Sequence, residues 1–339
     1  MDNIKHRLEM LKEVIENIIK NNFITAAASM TDIECLYGRF EMLANLIFSN
    51  GSSLNFEPKT KESLRHLADD FRSIITNMII IYKIKNHVLQ CNPDDKRYSD
   101  PDTNKQIEAY ILRSLIQSII TDSRSIFDYV YILLCDVYFQ KFNQSENNLL
   151  KNEAVKFNKK DFKNLKFVNL KGLIKTNKDD VKCILGENNY NTIINSIEFF
   201  NAINSIRNNL IHEGYFLAVK REDNDMFRIE KVNIKSSNQE DNQPNYETDY
   251  PLESIELFKV FLEPDENLST RLSIKLFSTI CFAFVYNFLS NISSEILNKY
   301  SVSANHAFAY MGGSLIKENL LYTLQAINDK MDLSESNTN

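Results

Sequence analysis

Scarcity of glycine and proline is the strongest constraint on this chain. Seven glycines and six prolines in 339 residues leave too few turn formers for most α/β or all-β architectures, in which turn signals recur about every 8–12 residues. The glycines are scattered, and the only adjacent pair is Gly312-Gly313. No GxGxxG or GxxxxGK[ST] loop exists to cradle a phosphate. The fold class predicted is all-α, a helical bundle with a β-hairpin insertion and an N-terminal helical extension that packs on the bundle or on a second subunit.

Hydrophobic periodicity agrees. Ile4, Leu8, Leu11, Ile15 and Ile18 recur at spacings of 3 and 4 and predict a helix over 2–22. Further helices are expected near 31–48, 60–89, 106–142 (with a break near Thr121-Asp122-Ser123), 189–213, 269–300 and 313–330, before a frayed tail. Residues 143–188 are Lys-rich and weakly periodic. "YFLAVK" and "MFRIEKVNIK" flank "REDND" and predict a β-hairpin over 215–235. The polar run 236–251 predicts a mobile loop. The expected organisation is an N-terminal helical region (1–90), a linker rich in turn formers (91–104), a helical domain (105–300) carrying the hairpin and loop, and a C-terminal helix and tail (301–339).

Composition excludes several functions. The five cysteines have no CxxC spacing, which argues against a disulfide framework or a zinc cluster and for a reducing cytoplasm. The polar start "MDNIKHRLEM" does not read as a secretory signal. The longest apolar run, 277–289, has 13 residues, short of the roughly 20 a membrane span needs. A cytoplasmic protein without membrane attachment, metal or cofactor is expected. Charge is uneven: residues 151–182 hold ten Lys against Glu153, Asp161, Asp179 and Asp180, a net of +6 in a chain of net −6. Lys159, Lys160 and Lys163, interleaved with Phe157, Phe162 and Phe167, are candidates for guiding a nucleic-acid strand. The plainer reading is a solvated Lys face with three core Phe.

The chemistry-bearing candidate is "SIRNNLIHEGYF", residues 205–216. Arg207 and His212 stand at a helix end, and Gly214 is the expected stop. Such a spacing arises about half a time by chance in a chain of this composition, so context carries the argument. Arg207 falls within about 40° of Phe200, Ile203 and Ile211 on an apolar stripe, where an unpaired guanidinium needs a partner or ligand. A helix ending at Gly214 would let Arg207 and His212 converge. Asn208, next to Arg207, can donate and accept at the same place. Asp128, in the very apolar stretch "SIFDYVYILLCDVYF", is the natural partner for Arg207. Its local alternative is Arg124, four residues earlier.

"RNNLIHEGYF" resembles the signature of the HEPN superfamily: Arg, a polar residue, a few mostly apolar residues, then His, late in a helix of an antiparallel bundle. "SRSIFDYVYILL" is similar to the earlier bundle helix of such domains, and the resemblance spans about 105–215. It implies a metal-independent RNA endonuclease of the toxin or antiviral (abortive-infection) type. It also implies a homodimer whose two motifs share one cleft, with an antitoxin or sensor protein from a neighbouring gene as a further partner. Arg207 and His212 would be catalytic and Asn208 supporting. The residue types fit that chemistry independently. RNA carries its own nucleophile, the 2′-OH; a histidine can move the proton; and an arginine fork can hold the phosphate as charge builds on it. The alternative expectation is a non-catalytic HEPN-like module that binds a nucleotide or a partner protein.

Overall fold

The computed structural model describes residues 2–23, 56–85, 101–139, 166–220, 225–235, 245–249, 252, 255–264, 270–299 and 313–336. These form α1 (Asp2–Phe23), α2 (Pro58–Lys85), α3 (Pro101–Leu134) ending in a π-helical turn (Cys135–Phe139), α4 (Phe167–Thr176), α5 (Lys178–Leu185), α6 (Glu187–His212), β1 (Phe216–Lys220), β2 (Met226–Lys235), β3 (Asn245–Asp249), α7 (Glu256–Lys259), β4 (Glu263–Pro264), β5 (Thr270–Ser273), α8 (Ile274–Lys299) and α9 (Gly313–Ser336). The fold is predominantly helical with a small antiparallel sheet beside it. The helix expected at 31–48 and the linker up to residue 100 lie outside the described residues, as do Lys159, Lys160 and Lys163.

Several elements depart from the periodicity reading. The last four linker residues are the first turn of α3, with Pro101 at its first position, where a missing N–H costs nothing. That helix is unbroken through Thr121-Asp122-Ser123. Ser118 Oγ donates to Asp122 Oδ2 at 2.9 Å, one turn on, so these polar residues are held on the helix. Within the Lys-rich segment, Phe167, Leu170, Leu173 and Ile174 bury one face of α4, and Val181, Ile184 and Leu185 one face of α5. Their lysines masked a periodicity that short helices express over only two or three turns. The tail is helical as far as Ser336.

The hairpin exists, but as one end of a larger sheet in which β2 takes further partners. β1 pairs with β2 from Phe216↔Glu230 to Lys220↔Met226. The second half of β2 pairs with β3, Lys231↔Asp249 to Lys235↔Asn245, so the segment 236–251 is not simply a loop. β5 pairs with the start of β2, and β4 with β5. The helix expected from 269 therefore begins at Ile274, because Thr270–Ser273 belong to the sheet. A ten-residue strand has backbone groups to satisfy on both edges, and a hairpin alone satisfies one.

One hydrophobic cluster runs through all the long helices, from Leu8 and Leu11 of α1 to Leu320 and Ile327 of α9. The N-terminal helices pack on the bundle: α1 on α9 and α8, and α2 along α3 in the most extensive helix pairing. α8 is the axis of this core. It is long and apolar enough to cross a membrane, but 83% of its most apolar window is buried inside the protein, as expected of a central helix. Around it Phe127 of α3 meets Phe167 of α4 at 4.9 Å, Phe200 of α6 at 5.4 Å and Phe288 of α8 at 4.5 Å between ring centres. Phe167 is fully buried; it is a core residue and not a platform for bases. This aromatic knot fixes how α6 sits on the bundle.

A polar seam interrupts the α2–α3 pairing. Asn77 Nδ2 donates to Ser118 Oγ at 2.9 Å, and Ser73 and Ser118 hydroxyls lie 3.4 Å apart. Asp70 and Asp122 face this seam. Burial, and then the neighbouring Asp122 and Asp69 charges, push the Asp70 carboxyl up to about 7. Burial also raises Asp122, against hydrogen bonds from Ser73 and Ser118. Because the folded chain holds the Asp70 proton more tightly than the unfolded chain does, this group favours folding in acid. That contribution is lost as pH rises from about 4 through about 7. Asp70→Asn should therefore stabilise the fold at pH 8 by about 1–2 kcal/mol, after discounting for partial exposure, with the gain vanishing near pH 4. Urea denaturation of both proteins across that range checks it; parallel curves would mean Asp70 is ionised in the fold at neutral pH without penalty.

Candidate functional site

α6 carries all three motif residues. Its inner face buries Ile193, Ser196, Phe199, Phe200, Ile203 and Ile206 against α8 and α3. That face is consumed by the chain's own core, so the apolar stripe itself is not free to meet a second copy. The stripe also ends early: Ile211 is 52% exposed. The bundle opens at the last turn of α6, and there Arg207 and Asn208 are half-buried and His212 is exposed.

The end of the helix is made by Gly214. Its φ of 75° lies in the left-handed region that a glycine enters without strain. The Glu213 and Tyr215 N–H groups both return to the Asn209 carbonyl, at 3.2 and 3.3 Å, and the chain then turns directly into β1. The backbone is still helical through His212, so Arg207 and His212 leave the axis about 140° apart. They do not converge on one side of the helix, although it stops at Gly214 as expected, because the stop follows His212 and does not fall between the two residues. Among the described residues, the side chains of Arg207, Asn208 and His212 have no hydrogen-bond or ion-pair partner.

The buried arginine of this region is Arg124, not Arg207. Its Nη1 lies 2.7 Å from Asp128 Oδ2, its Nε donates to Asn204 Oδ1 at 2.7 Å, and its guanidinium lies 4.7 Å from the centre of the Phe200 ring. The other oxygen of Asp128, Oδ1, accepts the Phe167 N–H at 2.8 Å and so caps the first turn of α4, which has no cap from its own Lys166. Asp128 is therefore occupied in holding α3, α4 and α6 together. The Arg124 partner four residues away, and not Arg207, takes its charge. An ion pair already desolvated by the core outcompetes an arginine at a half-open helix end.

Periodicity reasoning missed a cleft of roughly 560 Å³ between α1, α6 and α7. Arg7 of α1 closes one side, with Nε 2.6 Å from Glu198 Oε1 of α6 and Nη1 3.2 Å from Glu256 Oε2 of α7. Asn201 and Ser205 also line it, and Lys171 of α4 donates to Asn201 Oδ1 at 2.7 Å. Glu198, Asn201, Ser205, Asn208 and His212 recur at spacings of 3 and 4, within about 80° around the helix. The lining of the cleft thus continues along one face to His212. That polar row was legible opposite the apolar one; the part played by Arg7, almost two hundred residues away, was not. Among the described residues, no three His, Cys, Asp or Glu side chains are grouped so as to hold a metal ion.

The chain matches no family model, no curated protein and no solved structure.

Proposed function

We propose that this protein is a metal-independent RNA endonuclease of the HEPN type, acting in the cytoplasm as a toxin or antiviral effector. The observation that carries the reading is the last turn of α6. An arginine, an asparagine and a histidine stand there at an open end of the bundle, their side chains unengaged among the described residues, while the nearby Arg124 is fully committed to the core. Polar side chains at an open helix end with no structural partner among the described residues are available for a ligand. Arg207 would hold the scissile phosphate, His212 would move the proton between the 2′-OH and the leaving 5′-oxygen, and Asn208 would orient the phosphate.

The angular separation of Arg207 and His212 favours a composite site. In a homodimer joined at the exposed end of α6, around Ile211, the arginine of one copy can face the histidine of the other across a two-fold axis. Lys159, Lys160 and Lys163 would guide the RNA towards it, and an antitoxin or sensor encoded nearby would restrain it. The alternative, a nucleotide-binding or partner-binding module without catalysis, would use the same exposed end. Incubating the purified protein with cellular RNA in excess EDTA separates the two. Fragmentation by the wild type but not by His212→Ala is expected; intact RNA at stoichiometric protein removes the nuclease reading.

A further inference from the structure

We propose that the cleft between α1, α6 and α7 is a base-binding subsite that selects guanine a short span of strand away from the scissile phosphate. The inference rests on the nuclease reading for its purpose, but its chemistry stands on the cleft itself.

The cleft has a polar wall and an apolar floor. Ile194, Ile197 and Leu257 supply apolar surface, which suits the face of a base. Arg7, Glu198 and Glu256 supply the wall, and Lys259 stands 3.7 Å from Glu256 Oε1, so two carboxylates meet two cations. Arg7 is mostly buried, with 16% of its side chain exposed, whereas Glu198 and Glu256 are 40% and 52% exposed. Each carboxylate uses only part of its acceptor capacity on Arg7, since an ionised carboxylate offers about four lone-pair sites. Glu198, which lines the cleft, keeps the larger share of it, because Lys259 also engages Glu256.

An acceptor-bearing wall whose cations are already paired suits a neutral group with donors. Single-stranded RNA is read on exposed base edges of this sort. Of the four bases, guanine alone presents two adjacent donors, N1–H and the N2 amino group, on its Watson–Crick edge. Its O6 acceptor beside them matches an arginine or the Asn201 amide. With the base in the cleft, the phosphate is turned outwards along the polar row, past Ser205 and Asn208 to His212. Asn201 and His212 are eleven residues apart on the helix, about 16 Å, so a nucleotide seated in the cleft reaches the motif by a short span of strand. Lys171, at the rim on Asn201, is placed to meet the backbone charge.

Titration calorimetry of the wild-type protein with the 5′-monophosphates of guanosine, adenosine, cytidine and uridine tests this, because none of them can be cleaved. GMP should bind at least tenfold more tightly than the other three. Ser205→Tyr, which fills the cleft from an exposed helix position, should abolish GMP binding. Glu198→Gln should reduce GMP to the affinity of AMP. Melting curves of both variants exclude unfolding as the cause. Equal affinities for the four nucleotides, binding of none, or GMP binding untouched by Ser205→Tyr would overturn the proposal. Cleavage of RNA without preference for guanosine would overturn it while leaving the nuclease reading in place. Selective GMP binding by a protein that cuts no RNA would support the subsite and remove the nuclease.

Discussion

Replacing His212 by alanine is expected to lower the rate of RNA cleavage by several orders of magnitude while leaving the melting temperature within a degree or so of wild type. The imidazole is exposed and, among the described residues, bonded to nothing, so its removal takes no structural contact away. Arg207→Ala should lose activity to a similar degree. The double variant should be scarcely worse than either, because a phosphate clamp and a proton carrier acting in one transition state fail together. Asn208→Ala should cost less, since in the proposed mechanism it would orient the phosphate without transferring a proton. Single-turnover rates for the four variants at saturating RNA give the comparison. If losses in the double variant simply multiply, Arg207 and His212 do not act in one site.

Asp128→Ala should do the opposite: destabilise strongly, by about 3 kcal/mol or more. The substitution strands the Arg124 guanidinium, whose side chain is only 8% exposed, and it uncaps α4 by removing the acceptor of the Phe167 N–H. Leaving a buried charge without its partner is far costlier than the pair was worth. Replacing both members, Arg124→Met with Asp128→Leu, should recover much of the loss. Urea unfolding of the three variants measures this. A stable Asp128→Ala protein that has lost RNA cleavage would instead place Asp128 at the reacting centre.

These two cases show what could be read from the sequence and what could not. Spacings of 3 and 4 located α1, α2, α6 and α9 because each buries one face over several turns. Gly214 was identifiable as a helix stop because a lone glycine closing a long periodic run in a glycine-poor chain suits the left-handed position after a helix. The Arg124–Asp128 pair was visible as a local i, i+4 alternative, but its strength was not. That depends on Asn204 and the Phe200 ring, brought in from α6. β3 and β5 escaped because a strand of four or five residues has too little length for alternation to stand out. What paired them is the demand of β2 for partners on both of its edges. Arg207 was placed at the centre of an apolar stripe by angle alone. Angle says which way a side chain points, but not where along the helix the bundle ends. Since the core stops around Ile206, the same angle that would bury Arg207 one turn earlier leaves it half-open to a ligand.

The central claim is that this protein breaks RNA with the RNA's own 2′-hydroxyl and no metal. The most direct measurement is mass spectrometry of the products formed in EDTA from a defined oligoribonucleotide, beside the same strand with one 2′-deoxy residue at the cut. The expected result is a 2′,3′-cyclic phosphate on one fragment and a 5′-hydroxyl on the other, with no cut in the deoxy strand. Products ending in 3′-hydroxyl and 5′-phosphate, or cleavage that appears only when Mg²⁺ is added, would contradict it.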